Sequence, residues 1–129
     1  MIPQIDCKIE AVCQINPSED PEKISQVFAN ILDDFELKVD RFSAKAVSKR
    51  LESLSKIHES IHNHQSRKVY WRFLNDNMDG NTTWFYLNKQ AAFVSSIALC
   101  EHDDESPLGP IKVTLRSVDI ERVIDWLTS

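Results

Sequence analysis

Residues 4–16 read QIDCKIEAVCQIN, and every second residue from Ile5 to Ile15 is apolar. Val12 is the one apolar residue among the intervening positions. A period of two places alternate side chains on opposite faces of a β-strand, so the stretch predicts a strand with one buried face. Strands of parallel sheets are usually buried on both faces. The pattern therefore favours an antiparallel sheet.

Helical and extended patterns alternate over the next part of the chain. Asp20-Pro21 predicts the start of a helix, because Asp caps free amides and Pro suits the first helical position. A strand is predicted over 35–39. Ser43 is expected to cap a long helix that ends near residue 62 and buries an apolar stripe of Val47, Leu51, Leu54, Ile57 and Ile61. A further helix is predicted over 67–75, burying Val69, Phe73 and Leu74.

The remaining segments complete the predicted fold. Asp79-Gly80 marks a turn. Strands are predicted over 84–87, 95–101 and 110–116, an acidic loop over 101–105, and a last helix capped by Ser117 or Asp119. The order is β-α-β-α-α-β-β-β-α. Residues 1–129 are thus expected to form a single two-layer α+β domain, with helices covering an antiparallel or mixed sheet.

Several classes of protein are not indicated by the composition. No apolar run approaches the ~20 residues that a membrane span needs, and the first residues lack the pattern of a secretory signal. A cytoplasmic protein without a membrane partner is the expectation. The chain has only two glycines, so no Gly-rich phosphate loop is present. No cofactor is predicted.

Positive charge is concentrated in residues 41–72. The net charge of the chain is −5, yet this segment holds eight of the fifteen Lys and Arg residues and only two of the twenty Asp and Glu residues. Lys and Arg bind phosphate backbones, so the segment is a candidate RNA-binding face. Its predicted contact residues are Lys45, Lys49, Arg50, Lys56, Arg67, Lys68 and Arg72. Tyr70 and Trp71 could stack on bases, although Trp71 is expected to complete the core.

A second polar group follows the strand predicted at 84–87. Asn88, Lys89 and Gln90 lie at its end and precede two alanines. Polar residues in this position either contact a ligand such as a phosphate or satisfy backbone groups of the loop. Both interpretations stay open, and the three residues are candidate RNA contacts.

The string His58-Glu59-Ser60-Ile61-His62 fits the H-E-x-x-H pattern of zinc hydrolases. On a helix, His58 and His62 would share a face and could bind zinc, with Glu59 as the general base. A third protein ligand has no recognised spacing downstream, and a chain of this length hardly supplies the second subdomain of such a cleft. A zinc hydrolase is therefore a remote alternative, and no metal site or catalytic residue is predicted.

Four segments together resemble a known family. Residues 16–23 (NPSEDPEK) are similar to its P-T-E-D-x-x-K turn, residues 87–92 match L-N-K-Q-A-A, residues 106–111 match S-P-L-G-P-I, and residues 124–127 resemble its I-D-W-L ending. The family is an archaeal set of predicted RNA-binding proteins, also called predicted exosome subunits. The resemblance implies a fold like that of the large-ribosomal-subunit protein five, RNA as a partner and an RNA-processing assembly. It implies no catalytic residues.

The sequence thus predicts a non-enzymatic RNA-binding accessory protein that grips phosphates through residues 41–72. The alternative is a protein-interaction or dimerisation module without RNA affinity. In that case the basic segment of one molecule would meet the acidic remainder of another, for example in a homodimer.

Overall fold

The computed structural model describes residues 2–102 and 108–129. The strands in these ranges are β1 (Lys8–Gln14), β2 (Glu36–Val39), β3 (Ser43–Ser48), β4 (Thr82–Asn88), β5 (Leu99–Cys100) and β6 (Pro110–Arg116). The helices are α1 (Pro21–Ile31), α2 (Ser55–Asn63), α3 (Arg67–Asp76), α4 (Lys89–Phe93) and α5 (Ile120–Leu127), and a 3₁₀ helix (Leu51–Leu54) leads into α2. None of these helices has the length and hydropathy of a membrane span.

The strands form one open sheet in the order β2-β3-β1-β6-β4-β5. Every strand pairing in the described ranges is antiparallel. The α+β class predicted from the sequence is therefore confirmed, and the sheet is antiparallel rather than mixed.

The alternation of β1 decides which face of the sheet is buried. Ile9, Ala11 and Cys13 are at most 2% exposed, whereas the side chains between them are half-buried or exposed. Strand β6 repeats this pattern with Ile111, Val113 and Leu115. Apolar side chains of the helices join these residues in one core, so the helices cover one face of the sheet. We call the opposite face, formed by the outward side chains of β1, β2, β3, β4 and β6, the open sheet face.

The long helix predicted from Ser43 is wrong in its first third, because residues 43–48 form β3. Ala44, Ala46 and Ser48 point into the core with a period of two. Asp40 shapes the preceding hairpin: its carboxylate accepts hydrogen bonds from the Phe42 and Ser43 amides, both at 2.8 Å. The apolar stripe of the rest of the predicted helix is confirmed, since Leu51, Leu54, Ile57 and Ile61 are buried.

Two other segments differ from expectation. In the predicted strand over 95–101, only Leu99 and Cys100 pair with β4. The short helix α4 precedes them, and Ser95 has a φ of 60°. The observed order therefore contains one more strand and one more helix than predicted. The acidic loop expected over 101–105 lies largely outside the described residues.

Helix α3 lies along the edge of β4 where β5 provides no strand partner. The Thr83 hydroxyl donates a hydrogen bond of 2.5 Å to the Leu74 carbonyl, and the Asn77 amide donates one of 3.1 Å to the Trp84 carbonyl. Tyr70 and Leu74 are the buried side chains of α3. Val69, predicted to be buried, is 39% exposed, and Phe73 is half-buried. This docking turns the other side of α3 outward.

Candidate nucleic-acid interface

The predicted cations of residues 41–72 do not share one surface. Lys45 lies on the open sheet face and Lys49 follows at the end of β3. Arg50 and Lys56 lie near the 3₁₀ helix and α2, beside the end of α1. Arg67, Lys68 and Arg72 lie on α3. The predicted single basic face is therefore replaced by separate groups, because the segment contains a strand as well as helices.

Arg50 and Lys56 are neutralised by neighbouring carboxylates. The Arg50 guanidinium lies 3.6 Å from Asp34 and 3.6 Å from Glu52. The Lys56 ammonium lies 3.7 Å from Asp33 and donates a hydrogen bond of 2.7 Å to the Ala29 carbonyl. Exposed pairs of this kind contribute little stability, but they cancel the local positive potential. We therefore exclude these two residues from the candidate interface.

The polar group at the end of β4 has mainly an internal role. The Asn88 side chain accepts a hydrogen bond of 2.9 Å from the Ala91 amide and caps α4. Lys89 is fully buried. A phosphate contact by Lys89 is incompatible with this burial, so that prediction is corrected. Gln90 is exposed. The alternative interpretation, in which polar side chains satisfy local groups, describes Asn88.

Lys89 forms a buried ion pair with Glu19. Its ammonium donates hydrogen bonds of 2.7 Å to a Glu19 carboxylate oxygen and 2.6 Å to the Gln14 carbonyl. The same Glu19 oxygen accepts from the backbone and side-chain amides of Asn16. Burial works to raise the pKa of Glu19, but the hydrogen bonds from Lys89 and Asn16 hold this pKa below its usual value. The pair joins two of the sequence motifs, residues 16–23 and 87–92.

The exposed side of α3 brings the remaining predicted cations around an aromatic ring. Trp71 is 50% exposed, which corrects the expectation that it completes the core; the neighbouring Tyr70 takes that place. Arg67, Lys68, Trp71 and Arg72, with Thr128 at the end of α5, line a surface cavity of about 410 Å³. We call this set of five residues the α3 surface.

The cations of the α3 surface have no carboxylate partner among the residues that the structure describes. Within residues 2–102 and 108–129, no ion pair involves Arg67, Lys68 or Arg72. The Arg67 guanidinium contacts the His62 imidazole nitrogen Nδ1. The α3 surface therefore combines three cations, which form no ion pair within the described ranges, with an accessible indole ring.

The two histidines of the H-E-x-x-H string have other neighbours. The His58 ring stacks on Trp126 with 4.6 Å between centroids and 4° between planes. Burial is the main cause that lowers the pKa of His58, and the positive charge of Arg67 adds to the effect. Across the described ranges, no three His, Cys, Asp or Glu residues are grouped as metal ligands would be. The geometry offers the zinc alternative no support.

Comparison with known proteins identifies the family. A family model described as RNA binding matches residues 8–117. The UPF0201 protein of Sulfurisphaera tokodaii is 38% identical over 125 residues, which are 94% of this chain and 86% of that protein. The UPF0201 protein of Methanothermobacter thermautotrophicus is 31% identical over 120 residues, 93% of this chain and 89% of that protein.

Solved structures show the same architecture. The crystal structure of an uncharacterised UPF0201 protein superposes with a TM-score of 0.78 at 27% identity, covering 92% of this chain and 90% of that one. The UPF0201 protein from Methanococcus jannaschii gives a TM-score of 0.81 at 24% identity, with 95% and 99% covered, which shows a common fold.

The open antiparallel sheet with helices on one face is thus the fold of a group of archaeal α+β proteins. The chain belongs to the family described as RNA binding, whose archaeal relatives carry the name UPF0201. The family resemblance inferred from the four sequence motifs is confirmed.

Proposed function

We propose that this protein binds single-stranded RNA through the α3 surface and has no catalytic activity. The observation that carries the proposal is the half-exposed Trp71 ring among Arg67, Lys68 and Arg72. The family's description as RNA binding supports the same ligand, and the matched residues 8–117 include α3.

The α3 surface has both elements of single-strand recognition. Unpaired bases stack on aromatic side chains, and each such contact contributes about 1–3 kcal/mol. Lys and Arg neutralise phosphates and release counterions, which makes binding sensitive to salt. A base in a double helix is already stacked on its neighbours, so Trp71 favours an unpaired one.

The wider role that we propose is that of an accessory protein in an RNA-processing assembly of the archaeal cytoplasm, as the exosome-subunit description of the resembled family implies. In that role the protein would hold RNA for a separate enzyme. Its own described residues provide cations and a ring for binding, which fits a non-enzymatic role.

Binding of a fluorescent single-stranded RNA of mixed sequence, followed by anisotropy, tests the proposal. We expect Trp71→Ala to weaken binding about 5- to 150-fold, the equivalent of one lost stacking contact. Phe42→Ala is the matched control, since Phe42 is 70% exposed at the β2–β3 turn, outside the α3 surface. Equal affinity of wild type and Trp71→Ala would contradict the proposed site.

A protein-interaction or dimerisation module is the second candidate, and one observation favours it. Strand β2 lies at an edge of the sheet, and Val39 and Phe42 at its end are 47% and 70% exposed. An edge strand can pair with a strand of another molecule. A homodimer in light scattering that Phe42→Asp converts to a monomer, together with no RNA binding by wild type, would favour this function.

A further inference from the structure

We propose that the open sheet face binds the phosphate backbone of double-helical RNA. This inference rests on the proposed function for the class of ligand, but it assigns a second surface to a different form of RNA. The cations that carry it are Lys8, Lys38, Lys45, Lys49, Lys112 and Arg116. Only Lys45 and Lys49 belong to the segment 41–72 that the sequence singled out.

The strand register places three of these cations in one row. Lys8 of β1 pairs with Arg116 of β6. On the other side of β1, Ile9 pairs with Ser48, so Lys49 follows beside Lys8. Arg116 is held by a hydrogen bond of 3.3 Å from its Nε to the Thr82 hydroxyl. The three cations and Thr82 line a cavity of about 730 Å³, whose lining also includes Asp6.

The other three cations form a second row. Lys38 of β2 pairs with Lys45 of β3, Lys45 with Val12 of β1, and Val12 with Lys112 of β6. Residues opposite each other in antiparallel strands share a face. The second row therefore crosses four neighbouring strands on the same face as the first.

The carboxylates of this face leave an excess of positive charge. Glu10 lies between the rows, 3.2 Å from the Lys8 ammonium and 3.5 Å from that of Lys45. Glu36 shares the face at its β2 edge, since it pairs with Val47, and Asp6 lines the cavity. Asp40 shares the face as well, two residues beyond Lys38 and opposite Ser43. The six cations thus still outnumber the carboxylates of Asp6, Glu10, Glu36 and Asp40 in this part of the described structure, in a chain whose net charge is −5.

The spacing of the rows favours two backbones over one. Lys8 and Val12 mark the rows on β1 and are four residues apart, which is about 13 Å along a strand. Two parallel rows of cations at this separation can each contact one phosphate backbone of a duplex. Double-stranded RNA is recognised mainly through such backbone contacts across its wide, shallow minor groove.

The aromatic rings of this face are already engaged. The Lys112 ammonium lies 4.9 Å from the Trp84 ring centroid, and Tyr86 and Phe73 pack at 4.9 and 5.8 Å from the same ring. Both Trp84 and Tyr86 are half-buried. In contrast to Trp71, they offer no free ring for a flipped base. The chemistry of the open sheet face is therefore recognition of phosphates rather than of bases.

The test compares a blunt RNA duplex of about 16 base pairs, the span of a typical duplex-binding domain, with one of its separated strands. The variant Lys49→Glu/Lys112→Glu reverses one cation in each row. Lys23→Glu/Arg122→Glu is the matched control, because both residues are exposed on helices and the change in net charge is equal. Circular dichroism checks the folding of each, and Lys49→Gln/Lys112→Gln replaces the first variant if reversal unfolds it.

We expect the sheet variant to lose at least tenfold in affinity for the duplex. The slope of log affinity against log salt should become shallower by about two, since each phosphate contact contributes about 0.9. Single-strand affinity should stay within twofold in both variants. Trp71→Ala should weaken binding of the single strand and leave the affinity for the duplex nearly unchanged.

Several results would overturn the inference. If wild type binds the single strand but not the duplex, the proposed function stands and this inference fails. Equal loss of duplex affinity in the control variant would show a general charge effect. Loss of a dimer in the sheet variant, without a change in duplex affinity, would assign the face to a protein contact. If wild type binds neither the single strand nor the duplex, the proposed function fails, and this inference fails with it.

Discussion

The Lys89 ammonium and the Glu19 carboxylate lie 2.7 Å apart, and their side chains are 0% and 6% exposed. The contact joins the start of α4 to the turn before α1, residues that are seventy positions apart in the chain. The second carboxylate oxygen of Glu19 is buried without a hydrogen-bond partner in the described structure. The buried Glu19 carboxylate therefore depends on the Lys89 ammonium to compensate its charge.

Removing one partner of this pair should destabilise the protein strongly. Lys89→Met would leave the Glu19 carboxylate buried without its cation, which typically costs about 3–5 kcal/mol. Unfolding in urea measures the loss. In Glu19→Leu/Lys89→Met, both charges are absent, so this double variant should recover much of the stability. A Lys89→Met protein as stable as wild type would show that the pair is not desolvated as described.

The same pair predicts an acid-sensitive contribution to stability. Since hydrogen bonds from Lys89 and Asn16 lower the pKa of Glu19 in the folded state, its contribution is complete above the unfolded pKa of about 4.3. The contribution is lost as pH falls through the folded pKa. The free energy of unfolding, measured from about pH 7 to pH 3, should therefore fall more steeply in wild type than in Glu19→Gln. Parallel curves of unfolding free energy against pH for the two proteins would contradict the lowered pKa of Glu19.

The exposure of Trp71 can be checked without RNA. Trp71→Ala should change the free energy of unfolding by at most about 1 kcal/mol, because the ring is half in solvent. Leu74→Ala in the same helix should cost about 2–5 kcal/mol, since Leu74 is fully buried. Thermal or urea unfolding gives both values. A large loss of unfolding free energy in Trp71→Ala would show that the ring is packed in the core.

Two matched double variants compare cations that have a carboxylate partner with cations that have none in the described part of the chain. Each of Lys68→Ala/Arg72→Ala and Arg50→Ala/Lys56→Ala removes one Lys and one Arg. The first should weaken single-strand binding and reduce its salt slope by about 1.4, because about 0.7 is lost per phosphate contact. The second should leave affinity nearly unchanged, since Asp33, Asp34 and Glu52 already neutralise Arg50 and Lys56. Equal losses of single-strand affinity in the two double variants would show that the ion pairs of Arg50 and Lys56 do not keep these residues from contributing to binding.

The buried thiols should be unreactive in the folded protein. Burial raises the pKa of both Cys7 and Cys13 to about 11, and Cys100 is also buried. At pH 8 almost none of Cys7 or Cys13 is present as thiolate, and the thiolate is the reactive form. A colorimetric disulfide reagent should therefore detect few thiols in buffer and three in urea. Rapid reaction in buffer would show that these sites open easily.

The sequence predicts the elements with strong local patterns and misses those decided by distant contacts. The alternation around Ile9 and the cap at Asp20 are local, and both β1 and α1 are found as predicted. A helix is predicted from Ser43 because Ser43 can cap one and Val47 stands four residues before Leu51 in the apolar stripe. Asp40 stabilises the hairpin turn before this segment, and the segment pairs with β2 as a strand instead.

The candidate site was predictable in charge but not in arrangement. The basic segment can be recognised by counting, whereas Asp34, one of the two carboxylates that neutralise Arg50, lies outside that segment. The sequence offers no sign that Lys89 is buried against Glu19. Lys8, Lys38, Lys112 and Arg116 of the proposed duplex-binding face are not predicted, because their strands lie outside the basic segment. Their positions on the polar side of alternating strands are the signal that could have found them.

The opposition between a positively charged sheet and a chain of net charge −5 restricts how the molecule can meet a polyanion. At physiological ionic strength, electrostatic attraction and repulsion reach only about 8 Å, so an approaching nucleic acid senses the nearest surface rather than the whole protein. If the open sheet face binds RNA as proposed, collisions with acidic regions are repelled, and those with the cationic face are retained. Productive encounters are therefore selected by orientation before any specific contact forms.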